Sequence, residues 1–386
     1  MPRNINQLHK ELADRIRTQG PISVAEYMEL AAEAYYKTQE PFGAAGDFTT
    51  APEISQMFGE LIALWLVDLW MRMGQPAAVK LIELGPGRGT LAADILRTIA
   101  AWPDFKAAVT LHLVETSTRL REIQSVALKE YRPAWYNSFE EVPEGFCFVI
   151  ANEFFDALPV QQFVKTEEGW KERCVGYNDL TDTFFFANKK DPHPNLLPEG
   201  EGTLMPPLPL PTGEGGAHRR WEGEGLYEVS SISQTIIKQI ADRIANHGGA
   251  ALIADYGHAE SGSGDTLQAL SKHQYANPLE NPGEYDITAH VDFAALKKTA
   301  EEVVRVAGPV TQGQFLVGLG IAERAQKLCA KATDAQRQDI MSALKRLVAP
   351  NEMGRLFKVM ALIPKAAKIE PAGFLPLPPG EGRGEG

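Results

Sequence analysis

The stretch Leu81-Ile-Glu-Leu-Gly-Pro-Gly-Arg-Gly-Thr90 constrains the fold most: an apolar run, an acidic residue within it, then glycine at three alternate positions. An apolar run of this length closed by a glycine loop reads as a buried strand, and the residues from about Thr90 as the helix that follows. Glycines at 85, 87 and 89 leave no Cβ in the way, so the loop can lie directly against a bound molecule where the helix opens. The spacing separates two kinds of pocket. A dinucleotide fingerprint, G-x-G-x-x-G, puts its third glycine three residues after the second; here that position is Thr90, and the glycine comes one residue early.

The rest of the chain supplies the frame that such a loop needs. Val79–Leu84, Val109–Glu115, Phe146–Ala151 and Ala250–Asp255 read as apolar strands, with helices at Leu91–Ala101, Arg119–Glu130 and Ser233–His247 between them. That alternation predicts an α/β fold, a mostly parallel, doubly wound sheet covered on both faces. Ahead of it lies a helical extension over residues 1–75. Ile5–Gln19 is amphipathic, Ser23 with Glu26 forms a capping box for a helix to about Tyr36, and Thr50 with Glu53 repeats the device before a long helix to about Met73. The core spans 76–364 with three insertions. Residues 161–190 form an antiparallel meander with strands Gln162–Lys165, Trp170–Val175 and Thr183–Phe186; residues 192–225 form a Pro/Gly-rich insert; residues 314–350 form a helical insert. The last comprises helices Gln314–Thr333 and Asp334–Leu347, which interrupt an edge hairpin of strands Val303–Val310 and Leu356–Ile363. Leu208-Pro-Leu-Pro-Thr-Gly-Glu-Gly215 recurs with one change as Leu375-Pro-Leu-Pro-Pro-Gly-Glu-Gly382, so the insert and the 365–386 tail are expected to be disordered low-complexity elements.

Charge and cysteine usage narrow the function classes. A formal net charge of −12 argues against a nucleic-acid partner and leaves room for a basic protein segment. Cys147, Cys174 and Cys329 are far apart and in no metal-ligand spacing, so neither a disulfide framework nor a metal site is expected. Residues 1–10 carry no apolar signal core, and the longest apolar run, Leu61–Met73, is broken by Asp68 and too short to span a bilayer. These features predict a cytoplasmic protein without membrane insertion.

E-x-G-x-G-x-G after a strand resembles the first motif of class I S-adenosylmethionine (SAM) methyltransferases, and SAM is the expected cofactor. Glu83, Gly85, Pro86, Gly87, Gly89 and Thr90 would form its cradle. Glu83 faces an even choice between touching the cofactor and a structural hydrogen bond to the loop. Glu115 ends the second strand, where a carboxylate can accept both ribose hydroxyls; the plainer reading is a solvent-facing strand end. The strand Phe146–Ala151 leads into Asn152-Glu-Phe-Phe-Asp156, on the side where open parallel sheets bind ligands. A guanidinium stays protonated and is a poor nucleophile, and a carboxylate pair can hold it in bidentate contact and aim one nitrogen at a methyl group. Glu153 and Asp156 are candidates for that clamp, against plain exposure for Glu153 and turn capping for Asp156. His290 with Asp292 is the candidate for late proton removal, against an ordinary loop histidine.

Five segments in order make the resemblance specific: Gly46-Asp-Phe-Thr-Thr-Ala-Pro-Glu-Ile-Ser-Gln-Met-Phe-Gly-Glu60, the glycine loop, Asn152–Pro159, Asp255-Tyr-Gly-His258, and Asp286-Ile-Thr-Ala-His-Val-Asp-Phe293. Together they resemble the MidA family of SAM-dependent methyltransferases over residues 5–190 and 226–364. The resemblance implies a class I, Rossmann-like methyltransferase fold. For mitochondrial members it implies symmetric dimethylation of an arginine in a respiratory complex I subunit, hence a protein partner with an exposed arginine. It also recasts Thr50, Pro52, Glu53 and Ser55, at a helix start suited to the methionine carboxylate of SAM; a capping box alone explains Thr50 and Glu53 equally well. A small-molecule O- or N-methyltransferase and a non-catalytic SAM-binding assembly factor are the competing readings.

Overall fold

The computed structural model describes residues 5–38, 50–189, 225–271 and 274–375. Residues 192–224 of the expected insert, and 376–386 of the expected tail, lie outside them. Seven strands build the central sheet: β1 Val79–Leu84, β2 Val109–Val114, β3 Ala134–Tyr136, β4 Cys147–Asn152, β5 Gly249–His258, β6 Arg305–Thr311 and β7 Phe357–Ile363. Their order is β6-β7-β5-β4-β1-β2-β3, and Val291–Asp292 adds a short parallel pairing at the end of β5. β7 alone runs against its neighbours. Leu81 pairs with Leu111 on one side and Phe148 on the other, which sets β1 in the interior of the sheet. The chain leaves β1 outward to β2 and β3, then returns to β4 on its other side. This reversal opens a crevice at the carboxyl ends of β1 and β4.

Alternation along the strands divides the core. Val79, Leu81, Phe148, Ile150, Leu252 and Val359 face one layer, while Ile82, Leu84, Val149, Ile253 and Met360 face the other. On the first side pack α4 (Gln56–Arg72) and α5 (Thr90–Ile99), the latter through Leu91, Ile95 and Ile99. Helices Ser231–His247 and Phe293–Glu301 cover the second. A separate cluster joins α1 (Ile5–Gln19) and α2 (Val24–Thr38) to the meander and a small third sheet, through Leu8, Leu12, Tyr27, Val175 and Ile287.

Several local readings need correction. The helix expected over Gln314–Thr333 is two, Gln312–Gly318 and Ile321–Cys329, broken where Gly320 takes φ +86°. The capping box at Thr50 does not form. Thr50 precedes a four-residue turn, α3 (Ala51–Ile54), without a side-chain cap, and α4 is capped by Ser55, whose hydroxyl accepts from the Met57 N–H at 3.2 Å. Of the expected tail, residues 365–375 run over the core, with Ile369 buried and Phe374 against Phe315.

Glu60, in the first matched segment, ties three helices together. It is 4% exposed on α4 and accepts from Arg324 of the helical insert at 2.7 and 3.0 Å and from Arg97 of α5 at 3.4 Å. Removing it takes the carboxylate from Arg324, while Arg97 keeps Asp94 at 2.7 Å, and both cations still reach water, so the full penalty of a buried unpaired charge does not apply. Glu60→Ala should lower stability by about 1–3 kcal/mol. Thermal unfolding measures this, and an unchanged midpoint would show that the network contributes nothing.

Candidate functional site

The crevice between β1 and β4 is a cleft lined by Thr50, Pro52, Glu53, Glu83, Gly85, Pro86, Gly87, Arg88, Thr90, Leu91, Asn152 and Glu153. Residues anticipated from the glycine loop, the segment at 50–53 and the end of β4 thus meet in one place. Gly89, Glu115, Ser55, Asp156 and His290 are outside that lining.

The loop is built as its glycines require. Gly85, Gly87 and Gly89 take φ of +60°, +52° and +83°. At Gly85 a Cβ would lie 2.9 Å from the Phe154 ring, so the end of β4 closes directly over the loop. The Gly87 carbonyl accepts a 2.7 Å hydrogen bond from the Gln124 amide, which also donates to Glu115 Oε2 at 3.2 Å. Gln124 is fully buried and accepts from the Trp135 indole at 2.9 Å, which locks its orientation. Glu115 Oε1 in turn accepts from the Ser117 N–H at 2.8 Å. Burial raises the Glu115 carboxyl above its ordinary range against these bonds. With the Thr116 backbone as a third donor, one acceptor position of the carboxylate is left for a further donor.

Three carboxylates face the cleft itself, each held differently. Glu83 is 5% exposed and hydrogen-bonded to the Ala92 backbone at the start of α5, while its Oε2 has no partner among the described residues. Burial pushes it up to about 8. The structural bond expected toward the glycine loop therefore goes to α5, and one oxygen is left over. Glu53 accepts a short hydrogen bond from the Thr90 hydroxyl and lies 3.9 Å from the Arg88 guanidinium. Glu153 sits at φ +52°, a left-handed conformation that costs a non-glycine residue energy. That turn brings Glu153 Oε1 within 2.9 Å of the Ala51 N–H and 3.2 Å of the Asn152 amide. No hydrogen bond reaches Oε2 among the described residues. Burial, with Asp156 adding to it, pushes Glu153 up to about 7 against the bond from Ala51.

The remaining candidates stand apart. Asp156 takes a backbone hydrogen bond from Ala157, the turn-capping alternative, and burial raises it to about 6. Asp255, fully buried at the end of β5, accepts from the Phe154, Phe155 and Tyr256 N–H groups at 2.8–3.0 Å and so shapes the bend that carries Glu153. The His290–Asp292 pair does not form: Asp292 caps the helix Phe293–Glu301 by accepting from Ala295, and His290 lies edge-on to Tyr256 at 4.2 Å. Burial lowers His290 to about 3, so it is neutral and a weak proton acceptor at neutral pH. Sequence reasoning missed Gln124, Phe154 and Arg88. Gln124 alone carried a signal, a polar residue on the face that Leu120 buries.

Comparison with known proteins adds the chemistry. The profile of a family described as "Putative S-adenosyl-L-methionine-dependent methyltransferase" matches residues 61–310. The chain is 37% identical to "Protein arginine methyltransferase NDUFAF7, mitochondrial" of Danio rerio, over 92% of this chain and 86% of that protein. Against the Caenorhabditis elegans homologue it is 36% identical, over 97% and 91%. A Burkholderia thailandensis protein of known structure superposes with a TM-score of 0.76 at 26% identity, covering 96% of this chain and 94% of that one. A second structure from that organism, bound to S-adenosyl-homocysteine, superposes at 0.77 and 24% identity with the same coverage and supports the fold. The mitochondrial location in the relatives' names overturns the expected cytoplasmic one, which rested on the absence of an apolar signal core and of an apolar run long enough to span a bilayer.

Proposed function

The chain belongs to this family of S-adenosyl-L-methionine-dependent methyltransferases, and on that premise we propose that it methylates arginine in a protein substrate, with Glu153 gripping the guanidinium. The cleft suits the cofactor on two counts. Gly85 leaves no room for a side chain between the loop and Phe154, and Glu83 Oε2 is a buried acceptor in the lining without a donor among the described residues. Gly87 and Pro86 would back the cofactor, Glu115 would accept from the ribose, and Glu83 would accept from a donor on the amino-acid end.

When bound, SAM supplies a methyl group activated by its sulfonium charge. The chain's residues supply the acceptor's position and charge balance. Glu153 is the observation that carries the assignment: a strained backbone and two hydrogen bonds at Oε1 fix the carboxylate, while Oε2 remains for a cationic group. A guanidinium at Oε2 would be oriented by the charge-assisted bond and would give its proton to a carboxylate poised near neutrality. Asn152 holds Glu153 in place, and Asp156 adds negative charge behind it. The names of the relatives carry the arginine acceptor, and the family resemblance carries a complex I subunit as target and symmetric dimethylation as product. The test is incubation of extract from a deletion strain with the protein and methyl-labelled SAM, followed by mass spectrometry. Label on arginine in one protein supports the proposal; label only on small molecules, or on none, rejects it.

A further inference from the structure

We infer that Arg88, the cation on the glycine loop, recognises the carboxylate at the amino-acid end of the bound cofactor and selects ligands that carry it; the inference rests on the SAM-binding reading above. At the helix start after Thr50, the expected site for that carboxylate, the backbone N–H groups of α3 are taken among the described residues. The Ala51 N–H is taken by Glu153 at 2.9 Å, Pro52 has none, and the Glu53 and Ile54 N–H groups bond to the Thr50 carbonyl at 2.9 and 3.1 Å. At α5 the same thing happens deeper in the cleft, where Glu83 occupies the Ala92 N–H. The protein's own carboxylates have therefore filled amides at both helix starts.

Arg88 is the one cationic side chain among the cleft's lining residues, which otherwise include Glu53, Glu83 and Glu153. Its guanidinium makes no hydrogen bond among the described residues. Its nearest anion, Glu53 Oε2, is 3.9 Å away, and the other oxygen of that carboxylate is engaged by Thr90. The side chain is 43% exposed, so it is free to turn toward a ligand without breaking a buried contact. A planar guanidinium with five donors matches a carboxylate in bidentate fashion, whereas a lysine would offer a point charge. Among the charged side chains described in the lining, a ligand carboxylate has this one of opposite sign.

Titration calorimetry on the full chain with two probes tests this: S-adenosyl-homocysteine, which carries the carboxylate, and 5′-methylthioadenosine, which shares the nucleoside thioether and lacks the amino-acid end. Arg88→Gln should weaken S-adenosyl-homocysteine by about 10- to 100-fold and leave methylthioadenosine within about twofold. Arg88→Lys should recover only part of the loss. Equal weakening of both probes, or no weakening of either, would overturn the inference, with thermal unfolding confirming that the variants are folded. Failure of the unmutated protein to bind either probe would instead refute the SAM-binding reading.

Discussion

Glu153→Gln should leave S-adenosyl-homocysteine affinity within about twofold and lower methyl transfer by about 100-fold or more, the usual loss for a charge-stabilising or proton-accepting group. The substitution is close to isosteric. The glutamine carbonyl can still accept from Ala51 and Asn152, which hold Oε1 at 2.9 and 3.2 Å, and the backbone at φ +52° is asked to do nothing new. What changes is Oε2, where an acceptor with a negative charge becomes an uncharged donor facing the substrate's donors. The pH profile separates this from a packing effect. Burial raises Glu153 to about 7 in the free protein, and its carboxylate form is the one that grips a cation. kcat/KM should therefore climb as pH rises toward 7 and level off above it. In the kcat profile the limb should move to lower pH, because a bound guanidinium favours the carboxylate. The variant should lose the limb as well as the rate; an unaltered rate with protein substrate would remove Glu153 from the grip.

Much of this was legible in the sequence because the signals were long or geometrically compulsory. β1 matches its expected span of Val79–Leu84, α1 matches Ile5–Gln19, and the glycine loop fell where the sheet reverses. Short elements left too little pattern: β3 is three residues, and the helix Pro103–Ala108 six. The helical insert does interrupt a hairpin of β6 and β7, but a glycine inside a periodic stretch hid its first break. The site was harder, since the sequence names residues without their partners. Thr50-x-x-Glu53 has the spacing of a capping box, yet Glu53 turns to Thr90, thirty-seven residues on, and the cap falls to Ser55. Asp255 is legible only as part of a matched segment, and the structure turns its carboxylate to the Phe154 and Phe155 amides. His290 looked available because its loop is polar, but contact with Tyr256 and burial remove it as a base.

The other large effect concerns the loop itself: Gly87→Val should abolish measurable cofactor binding, a loss of at least about 100-fold, while the sheet stays folded. Gly87 takes φ +52°, where a residue with a Cβ is strained by about 1–2 kcal/mol and a β-branched one more. Strain alone would cost roughly tenfold if it fell wholly on the bound state. The greater part of the loss comes from place. Gly87 lines the cleft, and its carbonyl is pinned by Gln124 at 2.7 Å, so the loop cannot rotate to relieve the side chain without releasing the amide that also steadies Glu115. A distortion at 87 therefore reaches the proposed ribose acceptor as well as the cradle. Gly87→Ala separates the two contributions, since alanine bears the backbone strain with little added bulk and should retain weakened binding. Because the loop lies beyond the end of β1, the valine variant should unfold within a few degrees of the unmutated protein, yet show none of the upward shift that ligand gives the latter. Undiminished affinity in the valine variant would place the cofactor away from the loop, and with it every assignment made around Gly87.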